Sequence, residues 1–294
     1  MMPAIIDVTG GQGGKAFLLL GQQKTALIDS GMAYCAAGLI ANARQALAGR
    51  DLDYILISHS HYDHIGAIPY LRAVWPSLQV LGAEYARRVL AKPGVQQTVR
   101  DLGAQAARLY GAGDLPPYDP ACLQVDRVVG DGDSLDLGGR SVSVLETQGH
   151  TQCSLSFLVD DGTLFASEST GCLSSSGRIF PAFINSYDAA VRSIEASQAL
   201  KPRAIVSPHY GPVGPQDTPG YWQKCLLAAR AARNFILLLA ERGLGEDQIL
   251  AKYEQVYRDE QNRREQPLQA FRLNTGGMIR TVLKEHRLQL PLAQ

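Results

Sequence analysis

The sequence predicts an α/β protein in which two β-sheets pack together between outer helices, with a helical extension at the C-terminus. Strand-like runs fall into two groups, helices flank each group, and the tail carries helical periodicity alone. One doubly wound parallel sheet would require strands and helices to alternate throughout.

In chain order, short β-like runs occupy residues 4–8, 16–20 and 25–29, separated by turns on Gly10-Gly11 and Gly13-Gly14. A helix follows over about residues 36–47. Residues 53–57 form an apolar strand covered on both faces, which runs directly into His59-Ser60-His61-Tyr62-Asp63-His64. Residues 66–71 begin the next helix. A strand at 78–81 precedes a helix at 95–110, where Val99, Leu102, Ala106 and Leu109 recur at helical spacing. After a Gly- and Pro-rich loop at 113–120, β character returns at 123–129. The turn-rich stretch 130–139 then leads to strands at 141–146, 154–159 and 163–166. A helix over about 187–200 precedes the strand 204–207, which delivers His209.

Beyond His209, residues 221–242, 246–257 and 275–288 read as helices. On the last of them Met278, Ile279, Val282, Leu283 and His286 share an apolar stripe. The chain therefore divides into a catalytic domain over 1–220 and an extension over 221–294 that either closes over the site or forms a homodimer contact.

Lys+Arg and Asp+Glu are equal at 28 each, so no field of one sign draws nucleic acid or anionic lipid to the surface. A neutral small molecule is the expected partner. The opening residues lack a basic segment followed by a long apolar run, and the run 235–240 is too short to span a bilayer, so a cytoplasmic protein is expected. Five scattered cysteines without a Cys-x-x-Cys pair argue against a disulfide framework and against a structural zinc knot. Cys153, three residues after His150, is the one placed to line the site.

The chemistry concentrates after the strand at 53–57. His59 and His61 alternate in extended backbone and so project to one side, while Asp63 and His64 follow where the chain turns into a helix. A lone histidine usually carries no function, and His286 on its apolar stripe reads as a packed side chain. Four metal-capable groups within six residues are a different matter, since they supply nitrogen and oxygen donors suited to zinc, iron or manganese. His150 and His209 each follow an apolar strand, with Gly149 and Gly211 permitting tight turns beside them. Ser58 and Ser60 read as backbone-bonding residues.

The ordered set His59-x-His61-x-Asp63-His64, Gly149-His150-Thr151, an acidic residue after a short strand, and His209 resembles the metallo-beta-lactamase superfamily in its glyoxalase II-like, ribonuclease Z-like and thioesterase-like branches. Leu27-Ile28-Asp29-Ser30-Gly31 resembles a second landmark of that family, whose aspartate supports the site structurally. The resemblance implies a four-layer alpha-beta/beta-alpha sandwich and two divalent metal ions, zinc first, with iron or manganese as alternatives. It places His59, His61 and His150 on one ion and Asp63, His64 and His209 on the other. Glu168 stands where the family's bridging aspartate is found, one methylene longer. The helical tail together with the helix at 95–110 resembles, in layout, the quinolone-signal thioesterase subgroup.

The implied activity is cleavage of an acyl thioester or related ester by a metal-bridging hydroxide. Asp63 and His64 are the implied catalytic residues, with Asp63 orienting the hydroxide, and Tyr187 and Tyr210 are candidate donors. Lactone opening, small-molecule phosphodiester cleavage and a regulatory protein with a residual metal site are the alternatives.

Overall fold

Residues 5–289 are described by the computed structural model. Residue 4 of the expected first strand and residues 290–294 of the expected extension lie outside them. The fold is a mixed α/β sandwich with two six-stranded sheets flanked by helices and a helical C-terminal extension. Its chain divides into two compact units, Met1–Glu146 with Leu155–Gly162, and Thr147–Ser154 with Thr163–Gln294. Among the described residues no helix is long and apolar enough to cross a membrane.

The first unit contains, in chain order, β1 (Ile5–Asp7), β2 (Phe17–Leu20), β3 (Thr25–Ile28), α1 (Ala36–Leu47), β4 (Tyr54–Leu56), α2 (Tyr62–Ile65), α3 (Ile68–Val74), β5 (Gln79–Gly82), α4 (Glu84–Leu90), α5 (Pro93–Leu109), β6 (Arg127–Val128), β7 (Ser134–Asp136), β8 (Ser141–Glu146) and β9 (Leu155–Val159). Its sheet runs β1-β2-β3-β4-β5-β6, antiparallel as far as β3 and parallel beyond. Ala26, Leu27, Ile55, Leu56, Val80 and Leu81 are fully buried, as both-face coverage of a parallel sheet requires. Ile28 pairs with Leu56. That register sets the segment leaving β3 beside the histidine run leaving β4.

Gly14 closes the N-terminal turn onto this same region. A methyl group at Gly14 would sit 1.9 Å from the Asp63 carbonyl oxygen and 2.7 Å from the Gly31 Cα, which explains why the turn carries glycine there.

The second unit contains β10 (Thr163–Phe165), β11 (Cys172–Leu173), β12 (Ile179–Phe180), α6 (Tyr187–Ala199), β13 (Ala204–Ser207), β14 (Gly211–Pro212), α7 (Tyr221–Glu241), α8 (Glu246–Tyr257), α9 (Glu260–Glu265) and α10 (Leu268–Gln289). The second six-stranded sheet has the order β14-β13-β10-β9-β8-β7, with β10 and β13 parallel and β13 and β14 antiparallel. Helices α6, α7, α8 and α10 pack on one another, burying Trp222, Ile236, Ile249, Tyr253, Phe271, Met278, Ile279 and Val282. Each such side chain contributes roughly 1.5–3 kcal/mol when fully buried.

Among the departures from the sequence expectation, which include the unanticipated helix α4 and the short strands β7, β11, β12 and β14, three have a visible cause. The strand at 123–129 shrinks to β6, because Asp126 leaves the β pattern to accept from the Val80 N–H and from Arg72, both at 2.7 Å. The last helix starts at Leu268, seven residues early, since Phe271 and Thr275 continue the buried stripe N-terminally. Helix α9, Glu-Gln-Asn-Arg-Arg-Glu, has no apolar period at all. Its signal is the cap, in which the Asp259 carboxylate accepts from the Asn262 N–H at 2.8 Å.

Candidate metal centre

In the first unit the site grows from the paired ends of β3 and β4. Asp29, at φ 54, accepts through Oδ1 from the Ser58 N–H at 2.6 Å, and through Oδ2 from the Ser58 hydroxyl at 2.7 Å and from His64 Nδ1 at 2.8 Å. With its hydroxyl proton given to Asp29, Ser58 Oγ is left to accept from His59 Nδ1 at 3.1 Å. The His64 carbonyl in turn accepts from the Ser30 N–H at 2.7 Å and from its hydroxyl at 3.0 Å. His61 is the extended residue before α2, so Asp63 and His64 fall in that helix's first turn. The His59 ring lies 4.6 Å from that of His61 and 4.2 Å from that of His64.

In the second unit His150 leaves a turn at Gly149, whose φ of 140 and whose approach to Ala190, 2.6 Å from a would-be Cβ, admit no side chain. The His150 N–H donates to Ser169 Oγ at 2.9 Å, and its Nδ1 to the Ala182 carbonyl at 2.6 Å. Glu168 begins the 3-10 turn Glu168–Thr170 after β10. Its Oε2 is 3.2 Å from His150 Nε2 and its Oε1 is 2.8 Å from His209 Nε2. His209, after β13, holds a left-handed backbone at φ 59, a conformation that costs a non-glycine residue about 1–3 kcal/mol and concentrates at functional sites.

Two groups of side chains are consistent with a binuclear divalent-metal site. His59, His61 and His150 form one, and Asp63, His64, Glu168 and His209 the other, the ligand atoms of each lying within 4.8 Å of one another. The donor chemistry fits such ions. The Nδ1 atoms of His59, His64 and His150 are each held by a protein oxygen, which leaves Nε2 as the nitrogen able to coordinate. His59 and His150 are 1% exposed and Glu168 6%, a depth at which a carboxylate is costly without cationic company.

Because Asp29 holds three donors at once, Asp29→Ala is expected to leave them without their acceptor, at about 1–3 kcal/mol for each that stays buried and unsatisfied. Metal affinity should fall about 10- to 100-fold through misorientation of His64. Denaturant unfolding and zinc titration measure the two effects separately.

One apolar and aromatic cluster was not legible in the sequence as a cluster. Met32, Cys35 and Ala106 are buried, with Tyr34, Tyr62 and Tyr110 packed against them. Tyr34 and Tyr110 stack at 5.4 Å. Burial, and then the negative charge of Asp63, push the Tyr110 hydroxyl's pKa upward. Tyr110 was legible only as the end of a helix, and Ser169 and the Ala182 carbonyl gave no signal at all. The ring of Tyr187, a candidate donor, has Phe183 edge-on at 5.3 Å and the Arg233 guanidinium over its face at 5.2 Å. Cys153 is buried, 3.3 Å from the Thr151 hydroxyl.

Comparison with known proteins adds four findings. A model of the metallo-beta-lactamase superfamily matches residues 9–235. A metallo-beta-lactamase fold-containing protein of Sulfurisphaera tokodaii is 27% identical over 206 residues, covering 68% of this chain and 74% of its own. A hydroxyacylglutathione hydrolase of Photobacterium profundum is 33% identical over 132 residues, and the match spans 44% of this chain but only 37% of that enzyme. Among solved structures, a metallo-beta-lactamase family protein of Thermus thermophilus has a TM-score of 0.65 at 18% identity, covering 97% of this chain and 95% of its own, a likeness of fold.

Proposed function

This chain belongs to the metallo-beta-lactamase superfamily, and from that premise we propose that it hydrolyses an acyl thioester or a related ester at a two-metal centre. The observation that carries the reading is the pair of metal-capable groups. We assign His59, His61 and His150 to one ion and Asp63, His64 and His209 to the other, with Glu168 between them because its two oxygens face different histidines. Two divalent ions held there, zinc by donor type, would supply Lewis acidity toward the acyl oxygen and a water nucleophile at neutral pH.

The chain's own residues do the rest. Asp29 and Ser58 hold the protons on His64 and His59, the Ala182 carbonyl holds that on His150, and Asp63 orients the attacking water. Tyr110 and Tyr34 offer an aromatic wall beside Asp63. That wall supports an apolar acyl group, and the balanced charge supports a small molecule over nucleic acid. The partial likeness to hydroxyacylglutathione hydrolases supports a thioester.

Zinc-loaded protein assayed against acyl thioesters of graded length, lactones and phosphodiesters is expected to favour the thioesters. Tyr110→Ala should change the preference between successive acyl lengths by about 1–3 kcal/mol per methylene recognised. Preference for lactones or phosphodiesters refutes the thioester reading. Failure to bind metal refutes the hydrolase.

A further inference from the structure

We propose that the C-terminal helix α10 is a positioning element for His150, acting through the segment 182–187, and that Thr281 and Glu285 are its positioning residues. The proposal rests on His150 being a metal ligand. His150 Nδ1 finds its acceptor in the Ala182 carbonyl at 2.6 Å, so the angle of the ring is set by where that carbonyl lies. The carbonyl belongs to a short segment between β12 and α6 that, among the described residues, has no sheet partner.

Two sets of bonds hold the segment instead. On one side the N–H groups of Asn185 and Ser186 donate to the Gly149 carbonyl at 2.9 and 3.0 Å, tying it to the turn that carries His150. On the other side α10 grips it, almost a hundred residues later in the chain. The Thr281 hydroxyl donates to the Ile184 carbonyl at 2.8 Å. Glu285 accepts from the Ser186 hydroxyl at 2.6 Å and from the Tyr187 N–H at 3.2 Å. Close approach is built into the helix, because a methyl group at Gly277 would already lie 3.1 Å from Ile184. A helix needed only to cover apolar surface would not require a hydroxyl and a carboxylate aimed at this backbone.

Outer partners of metal-bound histidines typically govern about 10- to 100-fold in affinity. The full chain, stripped of metal and titrated with zinc against a chromophoric chelator, tests the idea. Thr281→Val should weaken one of two zinc sites by about 10- to 100-fold and leave the other unchanged, and Thr281→Ser should restore it. Glu285→Ala should weaken the same site, while the Ser186 cap on Ala189 keeps α6 anchored, so the test survives if Thr281→Val does not fold. Wild-type affinity at both sites in Thr281→Val or Glu285→Ala, with only the melting temperature lowered, overturns the proposal. His150→Ala separates it from the reading beneath. If that variant loses a zinc and Thr281→Val does not, the positioning role alone is wrong, whereas two zinc ions bound to His150→Ala would remove His150 from the ligand set.

Discussion

Replacing Glu168 by glutamine is expected to release at least one of two bound ions and to reduce turnover by more than about 100-fold, the upper end of what outer-shell changes cost. The amide has nearly the carboxylate's shape but no charge, and it turns an NH2 group toward one of the imidazoles that Glu168 now faces at 3.2 and 2.8 Å. Without metal the variant should fold at least as well as wild type, because a buried carboxylate has been replaced by a neutral isostere. The difference emerges on loading. A ligand at 100 times its Kd stabilises the folded state by about 2.7 kcal/mol, and that gain should shrink or vanish in Glu168→Gln. Melting curves with and without zinc, alongside metal analysis, measure it. Undiminished zinc stabilisation and turnover would remove Glu168 from the centre.

The second large effect is expected of His61→Ala. His61 stands at the boundary between the segment leaving β4 and α2, half-buried and outside the strand ladder, so its loss should leave the fold intact while abolishing hydrolysis. Its partner in the His-x-His pair, His59, is 1% exposed and held by Ser58, so truncation there would also open a cavity. The pair therefore separates chemistry from packing. Circular dichroism and unfolding midpoints should match wild type in His61→Ala, with turnover lost and one metal weakened. Retained metal and turnover would contradict its place in the ligand set.

The two-sheet architecture was legible because the buried strands β3, β4, β5 and β13 are short apolar runs bounded by polar turns, and several helices fell where 3.6-residue periodicity put them. Helix α1, α8 and the strand β8 have the bounds the pattern gave. Polar elements stayed silent, α9 above all, since it folds on its cap and not on an apolar face. At the site, donor type was legible and support was not. Asp29 could be marked as supporting the site, but not the three donors it gathers, because those depend on the register of Ile28 with Leu56. The Ala182 carbonyl and its hold from Thr281 depend on contacts about a hundred residues apart, and a backbone oxygen has no letter in the sequence.

The web of bonds around Asp29 bears on the order of events in the protein's maturation. A zinc finger is unfolded until its ion arrives, because the ion supplies the folding free energy. Here the histidine loop after β4 is stapled by protein groups, Ser58, Ser30 and the Asp29 carboxylate. Stripping the protein of metal with a chelator is therefore expected to leave the fold intact, which circular dichroism checks. On that expectation the chain is an assembled receptor before any ion arrives, and supply and exchange after synthesis would choose the ion.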